Sequence, residues 1–171
     1  FFCNDEQTIS WVYGKGRREK LAEFCDLYPV VIYSDNIDEH LPDLGDVEVI
    51  FSTWGMFPPE EAHFDAMPKL KAIFYAGGSV QSFAQQFHAR SAKVFGGWGA
   101  NAVPVAEFTV AQILLANKGY YQNVRDCKVV PRNGNMGPRG PGNFGECIAV
   151  LGAGMAGRTV IELLKPFMLD V

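Results

Sequence analysis

Histidine and cysteine are scarce in this sequence, and neither is spaced as metal ligands usually are. The 171 residues include three histidines and four cysteines, with no Cys-x-x-Cys pair and no two histidines four residues apart. Two ligands on one helix face require the latter spacing, so we expect no metal site. Free cysteines scattered in this way are typical of a reducing compartment, which predicts a cytoplasmic location.

The sequence also lacks an excess of positive charge and a long apolar run. Its formal net charge is −4, which does not favour binding to nucleic acid or to an anionic membrane surface. No uninterrupted apolar run reaches the roughly 18 residues that a membrane span needs, so we expect no membrane partner. With 48% hydrophobic and 20% charged residues, the composition is that of a globular protein with a core.

Short apolar runs alternate with helical patterns through the first hundred residues. Strands are predicted at residues 30–33, 47–53, 70–76 and 92–95. This alternation indicates an α/β fold with a parallel sheet. Ligands of such sheets bind beyond the carboxyl ends of the strands, where this chain has the turns Trp54–Gly55, Gly77–Ser79 and Gly96–Asn101. The turns predict a cleft, although each of them also fits simple turn chemistry.

A glycine motif near the end of the sequence carries the strongest functional signal. The strand-like run Cys147–Leu151 leads into Gly152, Gly154 and Gly157, and a helical pattern follows over Thr159–Phe167. In a dinucleotide-binding unit the first glycine permits the turn, the second admits a pyrophosphate and the third lets the helix pack closely. The helix amino terminus then faces the phosphates.

Two other interpretations of the glycine motif stay open. One is a plain tight turn between a strand and a helix, and the other is the glycine loop of a methyltransferase-type Rossmann protein that binds an adenosyl cofactor. A P-loop is excluded because no Gly-Lys-Ser/Thr follows the glycines.

A long apolar helix and a structureless segment separate the early strands from the glycine motif. The helix is predicted over Val103–Tyr121, with Pro104 in its first turn. Because its apolar residues run nearly all round, we expect it to be buried inside a domain or against a second subunit. Pro131–Gly145 is rich in Gly, Pro and Asn and is predicted to be a loop that connects two domains.

Three stretches resemble the D-isomer-specific 2-hydroxyacid dehydrogenases. Asn101–Thr109 is similar to the start of the family's inter-domain helix, Gly152–Phe167 to its nucleotide-binding motif, and Lys69–Ser79 to its substrate loop. The resemblance implies a flavodoxin-like substrate domain over residues 1–101. Residues 102–171 would comprise the inter-domain helix, a linker and the start of a Rossmann domain, with the active site in the cleft between the two domains.

The resemblance also implies roles for individual residues. The substrate would be bound by Asn101 and by the backbone N–H groups of Gly78 and Ser79. The nicotinamide end of the cofactor would lie near Gly78 and Val105. The residues around the pyrophosphate would be Gly152, Gly154, Met155, Ala156, Gly157 and Arg158. Trp54 adds a candidate substrate contact, since its place near the cleft suggests a bulky substrate side chain, although a core tryptophan fits as well. The family's helix pairing implies a homodimer through Val103–Tyr121.

The sequence departs from the family pattern in two places. Gln81 or Ser82 stands where the family has an acidic residue after the substrate turn. In addition, the catalytic arginine, glutamate and histidine of the family would lie beyond Val171, so the catalytic residues are unknown and we expect the 171-residue chain to be an inactive fragment. His63 and His88 lie in the wrong domain for the acid–base.

The sequence therefore predicts a fragment of an oxidoreductase that passes hydride between a nicotinamide cofactor and a 2-hydroxy or 2-keto acid. The alternative is a non-enzymatic NAD(H)-sensing or interaction protein of the same architecture. NAD is the default cofactor, and NADP stays open because Asp170 is too early to be the residue that binds the ribose. We further expect Leu151, Val160 and Leu164 to be exposed for want of a complete sheet.

Overall fold

The computed structural model describes residues 1–126 and 140–171, which divide into two compact units, Phe1–Trp98 and Gly99–Val171. The predicted boundary lies three residues later, at residue 101. Most of the predicted linker Pro131–Gly145, and Cys127 with it, lies outside the described residues.

A parallel sheet organises the first unit. Its strands are β1 (Val49–Ser52), β2 (Ala72–Tyr75) and β3 (Lys93–Gly96), in the order β1-β2-β3. The register places Ser52 beside Tyr75 and Tyr75 beside Gly96, so the three strands end level with one another. Each strand is shorter than its apolar run in the sequence, because the flanking residues turn into loops.

Residues 1–3 extend this sheet on the far side of β1. Phe2 forms a parallel bridge with Ile32, Cys3 N donates to Ile32 O at 2.9 Å, and Phe2 N donates to Phe51 O at 3.1 Å. The predicted strand at residues 30–33 is thus reduced to one bridge. In chain order, the five extended segments lie 2-1-3-4-5 across the sheet, which is the flavodoxin-like arrangement. The predicted α/β fold class is confirmed.

Six short helices accompany the sheet. They are α1 (Glu6–Tyr13), α2 (Arg17–Ala22), α3 (Ile37–His40), a 3-10 helix (Leu41–Asp46), α4 (Glu61–Asp65) and α5 (Ala84–Ala89). Ile50 and Ile73 face a buried core with Phe64 of α4 and Phe87 of α5. On the other face, Ile9 and Tyr13 of α1 pack with Phe1. The sheet therefore lies between two helical layers where these helices cover it.

Helix α1 is not among the helices that the sequence patterns predict. Asp5 is its N-cap, and its Oδ1 accepts hydrogen bonds from Gln7 N at 2.9 Å and Thr8 N at 3.3 Å. An acidic N-cap satisfies two of the amide groups that every helix start leaves unpaired. The signal is present in the sequence as an Asp followed by Glu6.

The described residues of the second unit, 99–126 and 140–171, contain three helices and two short strands. These are α6 (Trp98–Asn117, which begins at the last residue of the first unit), α7 (Tyr120–Asp126), β4 (Glu146–Cys147), α8 (Met155–Leu164) and β5 (Leu169–Asp170). Strands β4 and β5 pair in parallel, and α8 connects them as a β-α-β unit. The predicted strand Cys147–Leu151 shares only Cys147 with the two-residue strand β4, and Cys147 is exposed.

Helix α6 differs from its prediction at both ends and in burial. It begins at Trp98, so Pro104 lies inside the helix instead of in its first turn, and it stops at Asn117 before a separate helix. Only Ala102, Ala106 and Val110 are buried. Burial within this chain is therefore limited to one side of the helix, where Ile113 and Leu114 are partly buried as well, and burial of the other apolar side chains against a second subunit stays a prediction.

By length and composition alone, α6 is also apolar enough to cross a membrane. A single helix of this kind is weak evidence for a membrane span, because core helices of other proteins pass the same test. The sequence expectation concerned uninterrupted apolar runs, and Trp98–Asn117 is not one because Asn101, Glu107 and Gln112 interrupt it, so the absence of a membrane partner stays a prediction.

The apolar face of α8 is covered by α6. Val160 and Leu164 are buried against Ala106 and Val110, with Ile148, Val150 and Leu169 beside them. The expected exposure of Val160 and Leu164 is wrong, because α6 provides the missing cover. Leu151 is 99% exposed, as expected.

Candidate functional site

Three turns leave the first sheet at the same edge. Trp54–Gly55 follows β1, Gly77–Ser79 follows β2, and Gly97 follows β3. Ala76 N donates to Ser52 O at 2.9 Å and Gly97 N donates to Tyr75 O at 2.8 Å, which continues the parallel ladder into the turns. The level strand ends therefore bring the predicted substrate-side turns of the first unit together at the edge where ligands of this fold bind.

The turn after β2 leaves little room for a side chain at position 77. A Cβ on Gly77 would lie 2.6 Å from Cε1 of the Tyr75 ring, which folds back under the turn. Gly78 is half-buried and Ser79 is exposed. Ser79 Oγ accepts a hydrogen bond from Gln81 N at 3.4 Å. Ser79 thus supports the turn locally in this chain, where Gln81 or Ser82 stands in place of the family's acidic residue.

The turn after β1 rests on the start of α1. Trp54 O lies 2.8 Å from Thr8 Oγ1 and 3.1 Å from Cys3 Sγ, and Asn4 N donates to Gly55 O at 2.8 Å. Gly55 has a φ of 98°, which few residues other than glycine adopt. The Trp54 side chain is 47% exposed, so it is not the core tryptophan that the sequence left possible.

Buried hydroxyl groups tie the strand ends to one another. Thr53 Oγ1 donates to Ala76 O at 3.3 Å, Ser52 Oγ donates to Phe2 O, and Tyr13 Oη donates to Ser52 O at 2.9 Å. Burial raises the pKa of the Tyr13 hydroxyl, which keeps it a donor. The sequence analysis missed these residues, although polar Ser52 and Thr53 directly after an apolar run are a usable signal.

The glycine motif of the second unit has the backbone that a dinucleotide-binding turn needs. Gly152 has a φ of 102°, and Gly154 is the N-cap of α8. A Cβ on Gly154 would meet nothing within 4 Å, so this position faces open space. A Cβ on Gly157 would lie 2.1 Å from Gly152 O, so only glycine allows the helix to approach the turn this closely.

The amino terminus of α8 is open and carries a positive charge. No side chain of residues 1–126 or 140–171 caps it, and the first N–H groups of any helix have no partner within the helix. Arg158 Nε donates to Ala153 O at 2.7 Å, which holds the guanidinium group over the turn. Open space at Gly154, free helix amides and Arg158 together fit a pyrophosphate group.

Asn101 and Val105 lie on α6, in the same unit as the glycine motif. Asn101 is in the first turn of α6 and half-buried, and Val105 is exposed one turn later. A Cβ on Gly99 would lie 3.8 Å from Met155 Cε, so the beginning of α6 lies beside the beginning of α8. Trp54, Gly78 and Ser79, by contrast, belong to the first unit.

Two of the three histidines of the first unit, His63 and His40, make hydrogen bonds within that unit, whereas His88 is exposed. His63 Nδ1 accepts from Glu60 N at 2.9 Å as part of the capping box of α4, and Nε2 then donates to Asp38 Oδ1 at 3.2 Å. Both ring nitrogens are thus in use. His40 Nδ1 lies 3.0 Å from the Tyr28 hydroxyl. Within residues 1–126 and 140–171, no three His, Cys, Asp or Glu side chains gather as a metal site.

A cavity of about 590 Å³ lies elsewhere in the first unit, between residues 24–29, residues 43–51 and Phe1–Phe2. It contains none of the predicted site residues. Its walls include Glu48 and Val49, at the amino end of β1, whereas ligands of open parallel sheets bind at the carboxyl ends. We therefore place the candidate site at the turns and not in this cavity.

The chain is similar in fold to several solved dehydrogenase structures. The chain is similar to the NAD-dependent formate dehydrogenase of Staphylococcus aureus in complex with NAD, with 26% identity, a TM-score of 0.56, and coverage of 81% of this chain and 43% of that one. A 2-hydroxyacid dehydrogenase of Ketogulonicigenium vulgare Y25 is 23% identical, with a TM-score of 0.61 and coverage of 81% of this chain and 45% of that one. A phosphoglycerate oxidoreductase of Rhizobium etli is 14% identical, with a TM-score of 0.59 and coverage of 98% of this chain and 52% of that one.

No protein-family model and no curated protein matches the chain. The chain spans about half the length of the solved structures that it resembles.

The sheet order and the glycine turn are those of an α/β protein, and its fold is similar to that of the Rossmann-type dehydrogenase class. Within that class, the chain resembles the D-isomer-specific 2-hydroxyacid dehydrogenases. The family resemblance stated from the sequence motifs is confirmed.

Proposed function

We propose that this chain is a fragment of an NAD-dependent 2-hydroxyacid dehydrogenase, consisting of its substrate domain and the start of its cofactor domain. The observation that carries the proposal is the glycine turn, in which Gly154 faces open space while Gly157 packs on Gly152 O. NAD is favoured over NADP because the similar formate dehydrogenase of Staphylococcus aureus was solved with NAD.

In this proposal the start of α8 binds the pyrophosphate. The backbone N–H groups of Met155 and Ala156 point out of the helix terminus, and Arg158 adds a positive charge. Gly152 and Gly154 let the backbone approach closely. Val105, exposed on α6, and Gly78 would contact the nicotinamide by resemblance to the family.

The substrate would be held from the turn after β2. Backbone N–H groups at Gly78 and Ser79 would bind its carboxylate, Asn101 would bind its oxygen atoms, and Trp54 would contact its side chain. When bound, the nicotinamide cofactor supplies the hydride that converts C2 of a 2-keto acid to that of a 2-hydroxy acid, and an acid of the protein supplies the proton to the oxygen.

The acid is not assigned to any residue of this chain. The family's arginine, glutamate and histidine would follow Val171, and His63 is occupied as a cap. The 171-residue chain alone is accordingly proposed to bind cofactor weakly and to be inactive. In the intact protein, the exposed apolar residues of α6 would form a homodimer interface, and its location would be cytoplasmic.

Binding and turnover measured on the intact protein test this proposal. We expect saturable binding of NADH, weaker or equal binding of NADPH, no binding of S-adenosylmethionine, and oxidation of NADH with at least one 2-keto acid. Saturable S-adenosylmethionine binding without NADH binding would contradict the proposal. NADH binding with no turnover across a panel of 2-keto acids would favour an NAD(H)-sensing or interaction protein instead.

A further inference from the structure

The backbone of Trp54 is held by two side chains from the first eight residues. Thr8 Oγ1 lies 2.8 Å from Trp54 O, and Cys3 Sγ lies 3.1 Å from the same oxygen. A carbonyl oxygen has two lone pairs, so it accepts from both groups. Cys3 is fully buried and Thr8 nearly so, which means that both side chains reach Trp54 O from the protein interior.

The next residue of the turn is seated on the same segment. Asn4 N donates to Gly55 O at 2.8 Å. A Cβ on Gly55 would lie 3.0 Å from Cys3 Sγ and 3.2 Å from Asp5 N, so the turn and the start of α1 are in direct contact. The backbone of Trp54–Gly55 is thus fixed on one side, while the indole remains half-exposed on the other.

The Thr8 hydroxyl is not required to cap its own helix. Asp5 Oδ1 already accepts from Gln7 N and Thr8 N. Thr8 Oγ1 lies between two carbonyl oxygens, at 2.9 Å from Asp5 O and 2.8 Å from Trp54 O, which is 46 residues away in the sequence. The hydroxyl therefore connects α1 to the end of β1.

We propose that Thr8, assisted by Cys3, is a positioning residue that fixes the Trp54–Gly55 turn, so that the indole forms a rigid wall for the side chain of the substrate. This inference rests on the proposed dehydrogenase function. A rigid, half-exposed indole favours 2-keto acids with a bulky apolar or aromatic side chain over those with a hydrogen or a methyl group. Neither Thr8 nor Cys3 touches the substrate.

The first test compares substrates in the intact protein. Thr8→Val keeps the shape of the side chain and removes its hydroxyl. We expect it to lower kcat/KM for phenylpyruvate about fivefold through KM, which is the size of one net hydrogen bond. The value for glyoxylate should stay unchanged, because glyoxylate has no side chain to contact the indole. Thr8→Ser should restore the preference. Ser10→Ala, which removes an exposed hydroxyl from the same helix, is the matched control.

The second test follows the indole without any substrate. The 171 residues include three tryptophans, so Trp11→Phe combined with Trp98→Phe leaves Trp54 as the only tryptophan among them. In that background, Thr8→Val should lower the fluorescence anisotropy of Trp54 and increase its quenching by acrylamide. Thr8→Ser and Ser10→Ala should leave both unchanged. Any tryptophan that the intact protein carries beyond Val171 is replaced by phenylalanine in the same background.

The outcomes separate the two proposals. An unchanged Trp54 signal in Thr8→Val, or an equal loss with phenylpyruvate and glyoxylate, would overturn the positioning role. A looser indole in a protein that reduces no 2-keto acid would support the anchoring by Thr8 and contradict the proposed dehydrogenase function.

Discussion

Gly157 packs directly against the carbonyl oxygen of Gly152. A Cβ on Gly157 would approach that oxygen to 2.1 Å, far inside any real contact, and would lie 3.2 Å from Gly152 C. The first turn of α8 is therefore as close to the preceding turn as two backbones allow. This single approach orients the open helix terminus toward the space in front of Gly154.

The close approach predicts that Gly157→Ala is destabilising. The added methyl group must push α8 away from the turn, and overpacking of this kind costs about 1–3 kcal/mol. We expect a lower free energy of unfolding for the second unit and a loss of NADH binding in the same variant. Urea unfolding and an NADH titration of the intact protein measure the two effects.

Gly154→Ala is the matched control, because its Cβ would point into open space and its φ of −69° suits alanine. Replacing glycine at an N-cap costs about 1 kcal/mol or less. We expect NADH affinity to fall at least tenfold with little loss of stability, since the methyl group would occupy the space of the pyrophosphate. Unaltered NADH affinity in Gly154→Ala would contradict the assignment of the phosphate site.

The N-cap of α1 is a second site with a defined energetic role. Asp5→Ala removes the acceptor of two amide groups and should lower the free energy of unfolding by about 1 kcal/mol. Asp5→Asn should keep most of the stability, because its side-chain oxygen can still accept. Denaturant unfolding of the unaltered protein and the two variants decides the point. Equal midpoints for the unaltered protein and Asp5→Ala would show that the cap contributes nothing.

The buried hydroxyl of Tyr13 predicts how stability changes at alkaline pH. Burial, and secondarily the nearby Cys3 thiol, raise the pKa of Tyr13 above its ordinary value of 10.0. In this pH range the folded protein keeps a proton that the unfolded chain releases, so stability is complete below pH 10.0 and falls as pH rises toward the folded pKa.

Tyr13→Phe should remove this part of the alkaline loss. At neutral pH the variant should be less stable by about 1 kcal/mol, because Ser52 O loses a donor. Thermal unfolding from about pH 8 to about pH 11, on either side of the ordinary tyrosine pKa, would show converging curves for the two proteins. Parallel curves across that range would mean that Tyr13 ionises as easily when folded as when unfolded.

Local patterns predict the elements whose signal lies in a few adjacent residues. The apolar runs that form β1, β2 and β3, and the glycine motif before α8, are all located from the sequence. Their ends are not, because a strand ends where its neighbour stops pairing, as Ser52, Tyr75 and Gly96 do together. The single bridge at Ile32 shows the same dependence on a partner.

The sequence could not show which side chains meet across the fold. The contact between Thr8 and Trp54 joins residues 46 positions apart, and no local pattern encodes it. The burial of Val160 and Leu164 is missed because the cover that α6 gives them is likewise distant in sequence. Conversely, apolarity alone predicts a buried α6, yet most of that surface is open within this chain.

The exposed surface of α6 predicts an effect of charge on the assembly of the intact protein. Phe108 is 65% exposed on this helix and would be buried in the proposed homodimer. Phe108→Asp would place a carboxylate in an apolar interface, where an unpaired charge is strongly unfavourable, and should convert the dimer to a monomer. Phe144→Asp is the control, since Phe144 is 79% exposed in the same unit but outside α6. Light scattering gives the mass of each variant. A dimeric mass for Phe108→Asp, or a monomeric mass for the unaltered protein, would show that α6 is not the interface.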